Sequence, residues 1–289
     1  MKILILGVGG MAGHILYDNF RENNNFEIWG AAREKIDENT LLFDAFDKAS
    51  LKIILEKCKP NIVINAVGML VKAANNNPAN AILVNAYFPH LVSQLSKEIN
   101  AYAIHLSTDC VFSGHKGSYL VSDVKDAEDF YGQTKSLGEL NNENDLTIRT
   151  SIIGPEIKKD GTGLLDWYLK STEKVAGYNS VFWSGITTLE LYNIIIKSID
   201  LNEKGLVQIS NNQKISKYEL LKLAGKHFNK NVELITEQNS IKHDKTLVSS
   251  INLERYAVPT YEQMIENLSL YMQTNKKAYI ANYPEIYKD

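Results

Sequence analysis

Hydrophobic positions in the first half of the chain keep two alternating rhythms. Lys2–Leu6 is a short unbroken apolar run closed by Gly7, the pattern of a strand buried on both faces of a parallel sheet. From Met11 to Arg21 the apolar residues Ile15, Leu16 and Phe20 fall at helical spacing, and a second strand is predicted over 26–31. Further strands are predicted at 61–65, 101–106 and 146–149, separated by helices at about 47–58, 79–98 and 129–142. Strand alternating with helix predicts an α/β fold built on a doubly wound, Rossmann-type parallel sheet. The Asn triplets at 23–25 and 75–77 read as loop tips.

After Gly154-Pro155 the rhythm changes. Helices are predicted near 163–172 and 187–200, then a strand over 206–210. A capping box at Ser216-Lys217-Tyr218-Glu219 opens the next helix, and a final helix spans about 260–274, with Pro259 near its start. The expectation is a dinucleotide-binding domain over 1–155, with the chain re-entering the sheet at about 185–212. Residues 156–184 and 213–289 then form a smaller, mostly helical substrate lobe.

Composition narrows the function. A net charge of −3 from 31 basic and 34 acidic residues gives no electrostatic footprint for nucleic acid or for a membrane surface. Two cysteines, Cys58 and Cys110, cannot build a disulfide framework, and Met1-Lys2 leads straight into the first strand without a signal-like segment. A cytoplasmic enzyme without membrane spans is the expectation. The six histidines show no metal-ligand spacing, and His105, inside an apolar strand, reads as a satisfied interior residue.

Candidate chemistry begins with Gly7-x-x-Gly10-x-x-Gly13 between strand and helix. The first glycine permits a sharp turn, the second lets a diphosphate approach the backbone, and the third lets the helix pack closely while its amino terminus faces the phosphates. At the end of the second strand Arg33 stands where many NAD enzymes place an acid. It suits a 2′-phosphate, favouring NADP(H) over NAD(H), or a plain surface pair with Glu34. Asp44 fits either an adenine amino group or a turn.

Tyr131 and Lys135 stand one helical turn apart, so they share a helix face. A tyrosine ordinarily titrates near 10, and a neighbouring ammonium lowers that value. The pair, with the hydroxyls of Thr108 or Ser107 upstream, suits proton donation to a ketone while a nicotinamide delivers hydride. Lys135 also suits a hydrogen bond to the nicotinamide ribose.

Four segments occur together in order: the glycine turn, Ser107-Thr108-Asp109-Cys110-Val111-Phe112-Ser113-Gly114, Tyr131-Gly132-Gln133-Thr134-Lys135-x-x-Gly138-Glu139, and Arg149-Thr150-Ser151-Ile152-Ile153-Gly154. They resemble the extended short-chain dehydrogenase/reductases, in the branch that contains dTDP-4-dehydrorhamnose reductase. That resemblance covers the sheet domain and is looser beyond about residue 156. It implies Thr108, Tyr131 and Lys135 as the catalytic triad, with Met11, Asn65, Ala66, Val67, Gly68 and Asn85 joining the glycines, Arg33, Asp44 and Lys135 around the cofactor. Ser107, Asp109, Cys110 and Arg149 are implied on the substrate side, and the substrate is a nucleotide sugar, with a homodimer as a further expectation.

Related dehydratases place two acids after the catalytic threonine; here Asp109 is followed by Cys110, which disfavours dehydration. The same stretch resembles GDP-fucose synthase, so Cys110 and Glu156 stand either as an epimerising acid–base pair or as a packed thiol and a loop acid. In the second lobe Trp167, Trp183 and Tyr178 suit either base stacking or core packing, and Lys214, Lys217 and Lys245 either a diphosphate or solvent. The regulatory subunit of methionine adenosyltransferase also resembles this branch, which leaves a non-catalytic binding protein as the alternative.

Overall fold

Side chains of the first strand divide between two cores, as a strand covered on both faces requires. A computed structural model describes residues 1–230, 232–237 and 242–287. In it Ile3 and Ile5 of β1 (Lys2–Leu6) join one apolar cluster, while Leu4 and Leu6 join another. After β1 come α1 (Met11–Glu22), β2 (Glu27–Ala32), β3 (Thr40–Leu42), α2 (Lys48–Cys58), β4 (Ile62–Asn65), α3 (Val71–Asn76) and α4 (Pro78–Ala81). The chain continues through π-helical turns (Ile82–Tyr87) into α5 (Phe88–Glu98), then β5 (Tyr102–Ser107), a 3-10 turn (Asp109–Val111), α6 (Phe130–Leu137) and β6 (Leu146–Arg149).

The remaining elements are β7 (Ile152–Ile153), α7 (Leu164–Lys170), β8 (Val175–Tyr178), β9 (Val181–Trp183), β10 (Ile186–Thr187), α8 (Thr188–Asp200) and β11 (Gly205–Gln208). They are followed by β12 (Ile215–Ser216), α9 (Lys217–His227), β13 (Leu234–Glu237), β14 (His243–Asp244), α10 (Leu253–Tyr256), α11 (Tyr261–Thr274) and α12 (Lys276–Tyr279).

Seven parallel strands form the main sheet in the order β11-β6-β5-β4-β1-β2-β3. The predicted doubly wound sheet is therefore present. Its strand order reverses between β1 and β4, the position at which ligands bind in folds of this kind. Helices α2 and α5 supply the cluster on one face; α1, α8 and α11 supply the other, where Phe20 and Tyr192 meet edge to face at 4.9 Å. The chain re-enters the sheet as predicted: β11 pairs with β6 from Gly205↔Leu146 to Gln208↔Arg149.

Several elements differ from expectation for local reasons. The helix predicted over 129–142 stops at Leu137, and its C-cap Gly138 packs so closely on the Asn85 carbonyl oxygen that a Cβ would lie 2.0 Å from it. The 79–98 helix contains π-helical turns around the wholly buried Asn85. Asn75 and Asn76 end α3, and Asn77 caps α4 by accepting the Asn80 N–H, so that triplet is a helix junction rather than a loop tip. Ser216 accepts the Glu219 N–H, the first half of the predicted capping box, whereas both halves are formed by Thr260 and Gln263 at α11.

Beyond β7 the smaller strands pair as β10-β7, β12-β9-β14 and β13-β8. No helix among the described residues is long and apolar enough to cross a membrane. Residues 288 and 289, the end of the predicted substrate lobe, lie outside the described residues.

Candidate active site

Gly7 ends β1 with φ +89°, and a Cβ there would meet the carbonyl of Ala66 at 3.1 Å and Val67 Cγ2 at 3.2 Å. The turn after β1 therefore lies directly against the Asn65–Gly68 segment after β4. A Cβ on Gly13 would come within 2.1 Å of the Gly7 carbonyl oxygen, so only glycine lets α1 approach this closely. Gly10 begins α1 in an extended conformation without a side-chain cap, and no acid occupies the first turn. Backbone N–H groups and the positive end of the helix are thus presented at the turn, a donor set that fits a dinucleotide diphosphate. Met11 is the first residue of that helix.

The end of the chain braces this turn. His14 bonds the Gly10 carbonyl through Nδ1 at 2.9 Å, and its Nε2 lies 3.0 Å from the Tyr279 hydroxyl. Burial lowers the His14 pKa to about 4, against the opposing pull of the Gly10 carbonyl. Lys158 Cε lies 4.0 Å from the position a Gly9 Cβ would take, adding a cation over the turn. Sequence reading missed it, because the 156–163 loop is bent back by contacts that leave no pattern: Glu156 Oε1 accepts the N–H groups of Thr162 and Gly163, and Asn282 donates to the Glu156 carbonyl.

Arg33 follows β2 and is exposed. Asp44 is also exposed and its Oδ1 accepts the Phe46 N–H at 3.0 Å, which realises the turn reading of this residue.

The catalytic candidates meet where α6 lies against the turn after β5. A Cβ on Gly132 would stand 2.0 Å from the Cys110 carbonyl oxygen and 2.6 Å from Ala127 Cβ, so glycine sets this approach. Asp129 caps the helix by accepting the Gly132 N–H, and Lys245 of the second lobe approaches Asp129 at 4.0 Å. Tyr131 is 9 % exposed and packs beside Cys110, Met69 and Ala74. Burial drives its phenol well above the usual tyrosine range and the Cys110 side adds to this, while the Thr108 hydroxyl pulls the other way. Thr108 itself donates to Asp109 Oδ1 at 3.0 Å and accepts the Cys110 N–H.

Lys135 reaches back from α6 to the adjacent strand β5. Its ammonium position is taken up by the Leu106 carbonyl at 2.7 Å and His105 Nε2 at 3.2 Å, and burial lowers its pKa to about 8 against the pull of Glu139. Helical spacing fixes a shared face, but a long side chain reaches whatever acceptor the adjacent strand offers. Asn65 holds the far side of the same imidazole at 3.2 Å and accepts the Val67 N–H. Asn85 clamps Met69 through both N–H and C=O and donates to Thr134, next to Lys135, so it positions α6 through structure.

Two substrate-side assignments are corrected. Arg149 is 1 % exposed and is engaged by the protein: bidentate to Glu139 at 2.8 and 2.7 Å, to Gln208 at 2.9 Å and to the Val121 carbonyl at 3.3 Å, with Phe112 beneath it. Ser107 donates to the same Glu139 carboxylate at 2.7 Å. Burial raises the Glu139 pKa, but Arg149 and Ser107 more than offset it, so it stays below the usual range. These groups tie β5, β6 and β11 together instead of facing a substrate.

Cys110 is partly buried and burial pushes its thiol up to about 12, while Glu156 Oε1 accepts N–H groups of its own loop, an arrangement that suits a packed thiol. Trp183 is core, donating to Ser151 and tilted against Tyr261, whereas Trp167 and Tyr178 are exposed. Lys214 pairs with Asp244 at 3.5 Å and covers the Phe182 ring.

Comparison with known proteins follows the same outline. The family described as RmlD substrate binding domain matches residues 1–259. The chain is 23% identical over 233 residues to methionine adenosyltransferase 2 subunit beta of Xenopus laevis, covering 76% of this chain and 70% of the relative. It is 32% identical over 148 residues to dTDP-4-dehydrorhamnose reductase of Burkholderia thailandensis, covering 48% and 45%. Among solved structures, dTDP-4-dehydrorhamnose reductase from Bacillus anthracis in complex with NADP superposes with a TM-score of 0.78 at 21% identity, over 93% of this chain and 99% of that one.

Proposed function

We propose, for a chain that belongs to the RmlD substrate binding domain family, that it is an NADPH-dependent reductase of the C4 ketone of a nucleotide-linked 4-keto-6-deoxyhexose. The observation that carries this reading is the Thr108 hydroxyl beside the Tyr131 phenol, which packs on Met69 just after the Asn65–Gly68 segment that lies against the Gly7 turn. When bound, the dinucleotide supplies a hydride to the sugar carbon. The turn and α1 would hold its diphosphate, the exposed Arg33 suits a 2′-phosphate, and Val67 and Gly68 would line its site. Thr108 orients the ketone oxygen, and Tyr131 delivers the proton that converts it to a hydroxyl. The names of the reductase relatives support a sugar nucleotide as substrate, and we assign its product to surface polysaccharide precursors. We assign 1–155 with the re-entering 185–212 to the cofactor domain, and 156–184 with 213–289 to the substrate lobe.

A second reading has its own support. The alignment to the methionine adenosyltransferase β subunit runs longer than that to the reductase, which favours an NADP-binding partner subunit as the alternative. The deciding experiment offers dTDP-, UDP- and GDP-linked 4-keto sugars to the protein and to Tyr131→Phe, following NADPH absorbance and NADPH affinity. Ketone-dependent oxidation that drops at least ~1,000-fold in the variant, with cofactor affinity retained, supports the reductase. Equal traces from both proteins on every substrate sink it.

A further inference from the structure

His105 stands on β5 with 1 % of its surface exposed, and both ring nitrogens have partners that are donors in their ordinary states. The Asn65 amide cannot turn over without loss, because its Oδ1 accepts the Val67 N–H at 3.1 Å. Its NH2 therefore faces His105 Nδ1, 3.2 Å away. A neutral imidazole that accepts at Nδ1 carries its proton on Nε2. Burial keeps this ring well below the usual histidine range, with the Lys135 and His90 charges acting in the same sense, so the neutral form is the relevant one. The Nε2–H then points at Lys135 Nζ, 3.2 Å away.

An ammonium has three N–H donors and no lone pair, so only the amine form of Lys135 can accept that proton. The amine still donates to the Leu106 carbonyl at 2.7 Å. An ammonium at this place requires the imidazole proton to move to Nδ1, where it faces the Asn65 NH2 and breaks that bond. Of the other charged groups, Glu139 pulls Lys135 toward the ammonium, but that carboxylate is already bound by Arg149, Lys125 and Ser107.

We infer that His105 is a positioning residue whose tautomer follows the charge of Lys135, Nε2–H beside the amine and Nδ1–H beside the ammonium, and so couples Lys135 protonation to the Asn65 amide. The catalytic consequence rests on the reductase reading; the tautomer does not. In that reaction the phenol proton of Tyr131 ends on the sugar hydroxyl, the tyrosinate regains a proton from Lys135 ammonium, and the amine left behind takes one from solvent. Turnover then falls as pH rises through the Lys135 titration, and any change that favours the ammonium moves this limb upward.

Nitrogen-15 NMR of the full chain labelled at histidine reads the tautomer directly, with His105→Gln identifying the signal. A neutral ring is expected throughout, protonated at Nε2 above the Lys135 titration near pH 8 and at Nδ1 below it; a tautomer that stays the same across that titration, or an imidazolium, overturns the inference. In kinetics, His105→Gln offers a carbonyl oxygen to the ammonium, and Asn65→Asp favours the Nδ1–H ring. Both should raise the basic limb of kcat by ~1 pH unit, whereas a merely structural role lowers kcat at every pH without moving the limb. Turnover with a ring whose tautomer never changes with pH sinks this inference and spares the reductase; a ring that switches tautomer in a protein that reduces no ketone does the reverse.

Discussion

Removing the Arg149 guanidinium leaves the Glu139 carboxylate with Ser107 and Lys125 as its side-chain partners, among strands that exclude water. Breaking one side of a buried pair costs about 3–5 kcal/mol, because the remaining charge has lost its compensation. Arg149→Met is expected to lower unfolding stability by about that amount in urea titrations. A change below ~1 kcal/mol would show that the pair contributes nothing net. Such residues also mark the limit of sequence reading. Thr108 and Tyr131 were identifiable because their chemistry and order are tied to a reaction. Ser107 precedes Thr108 directly and Arg149 ends the next strand, and both read as substrate contacts, but the face toward which each side chain points depends on Glu139, just beyond α6. The same holds for Lys135, whose spacing from Tyr131 was legible while its actual acceptors on β5 were not.

At the scale of elements, the approach of α6 to the Asp109–Val111 turn rests on a missing side chain. Gly132→Ala places a Cβ 2.0 Å from the Cys110 carbonyl oxygen, so helix and turn must separate. A displacement of an ångström at a reacting group lowers rate by roughly 100-fold. The variant is expected to lose kcat/KM to that extent, while NADPH affinity, held by the distant Gly7–Gly13 turn, changes less than ~3-fold; equal losses in both would show general unfolding. Most elements were legible, because buried strands give unbroken apolar runs and the α1 and α8 helices give clear stripes. The end of α6 was not, since its C-cap Gly138 packs on the carbonyl of Asn85, 53 positions earlier, and such a contact leaves no local pattern. The π-helical turns were hidden as well, because one extra residue per turn leaves the apolar rhythm on either side intact.

For the molecule as a whole, the doubly wound sheet and its re-entering strand β11 followed from rhythm and order alone, while the edge strand β3 and the short pairings β12-β9-β14 and β13-β8 have too few residues to show a period. The joint between first and last helices was equally invisible. His14 titrates near 4 when folded and near 6.5 when free, so the unfolded chain takes up a proton first as the medium acidifies. Its contribution is fully present above about pH 6.5 and is lost as pH falls toward 4, amounting to about 3 kcal/mol. Stability measured across that range should fall more steeply for the wild type than for His14→Gln, and identical slopes would refute the assignment.

That joint spans 265 positions of sequence. At translation speeds of about 5–20 residues per second, roughly 10–50 s separate the emergence of the imidazole from that of its phenolic partner. A nascent polypeptide therefore carries every proton-handling side chain well before the brace on its nucleotide cradle exists. Proteolytic clipping of the final helical turns would recreate that juvenile condition in a mature molecule, leaving its chemistry encoded but its grip on the coenzyme slack.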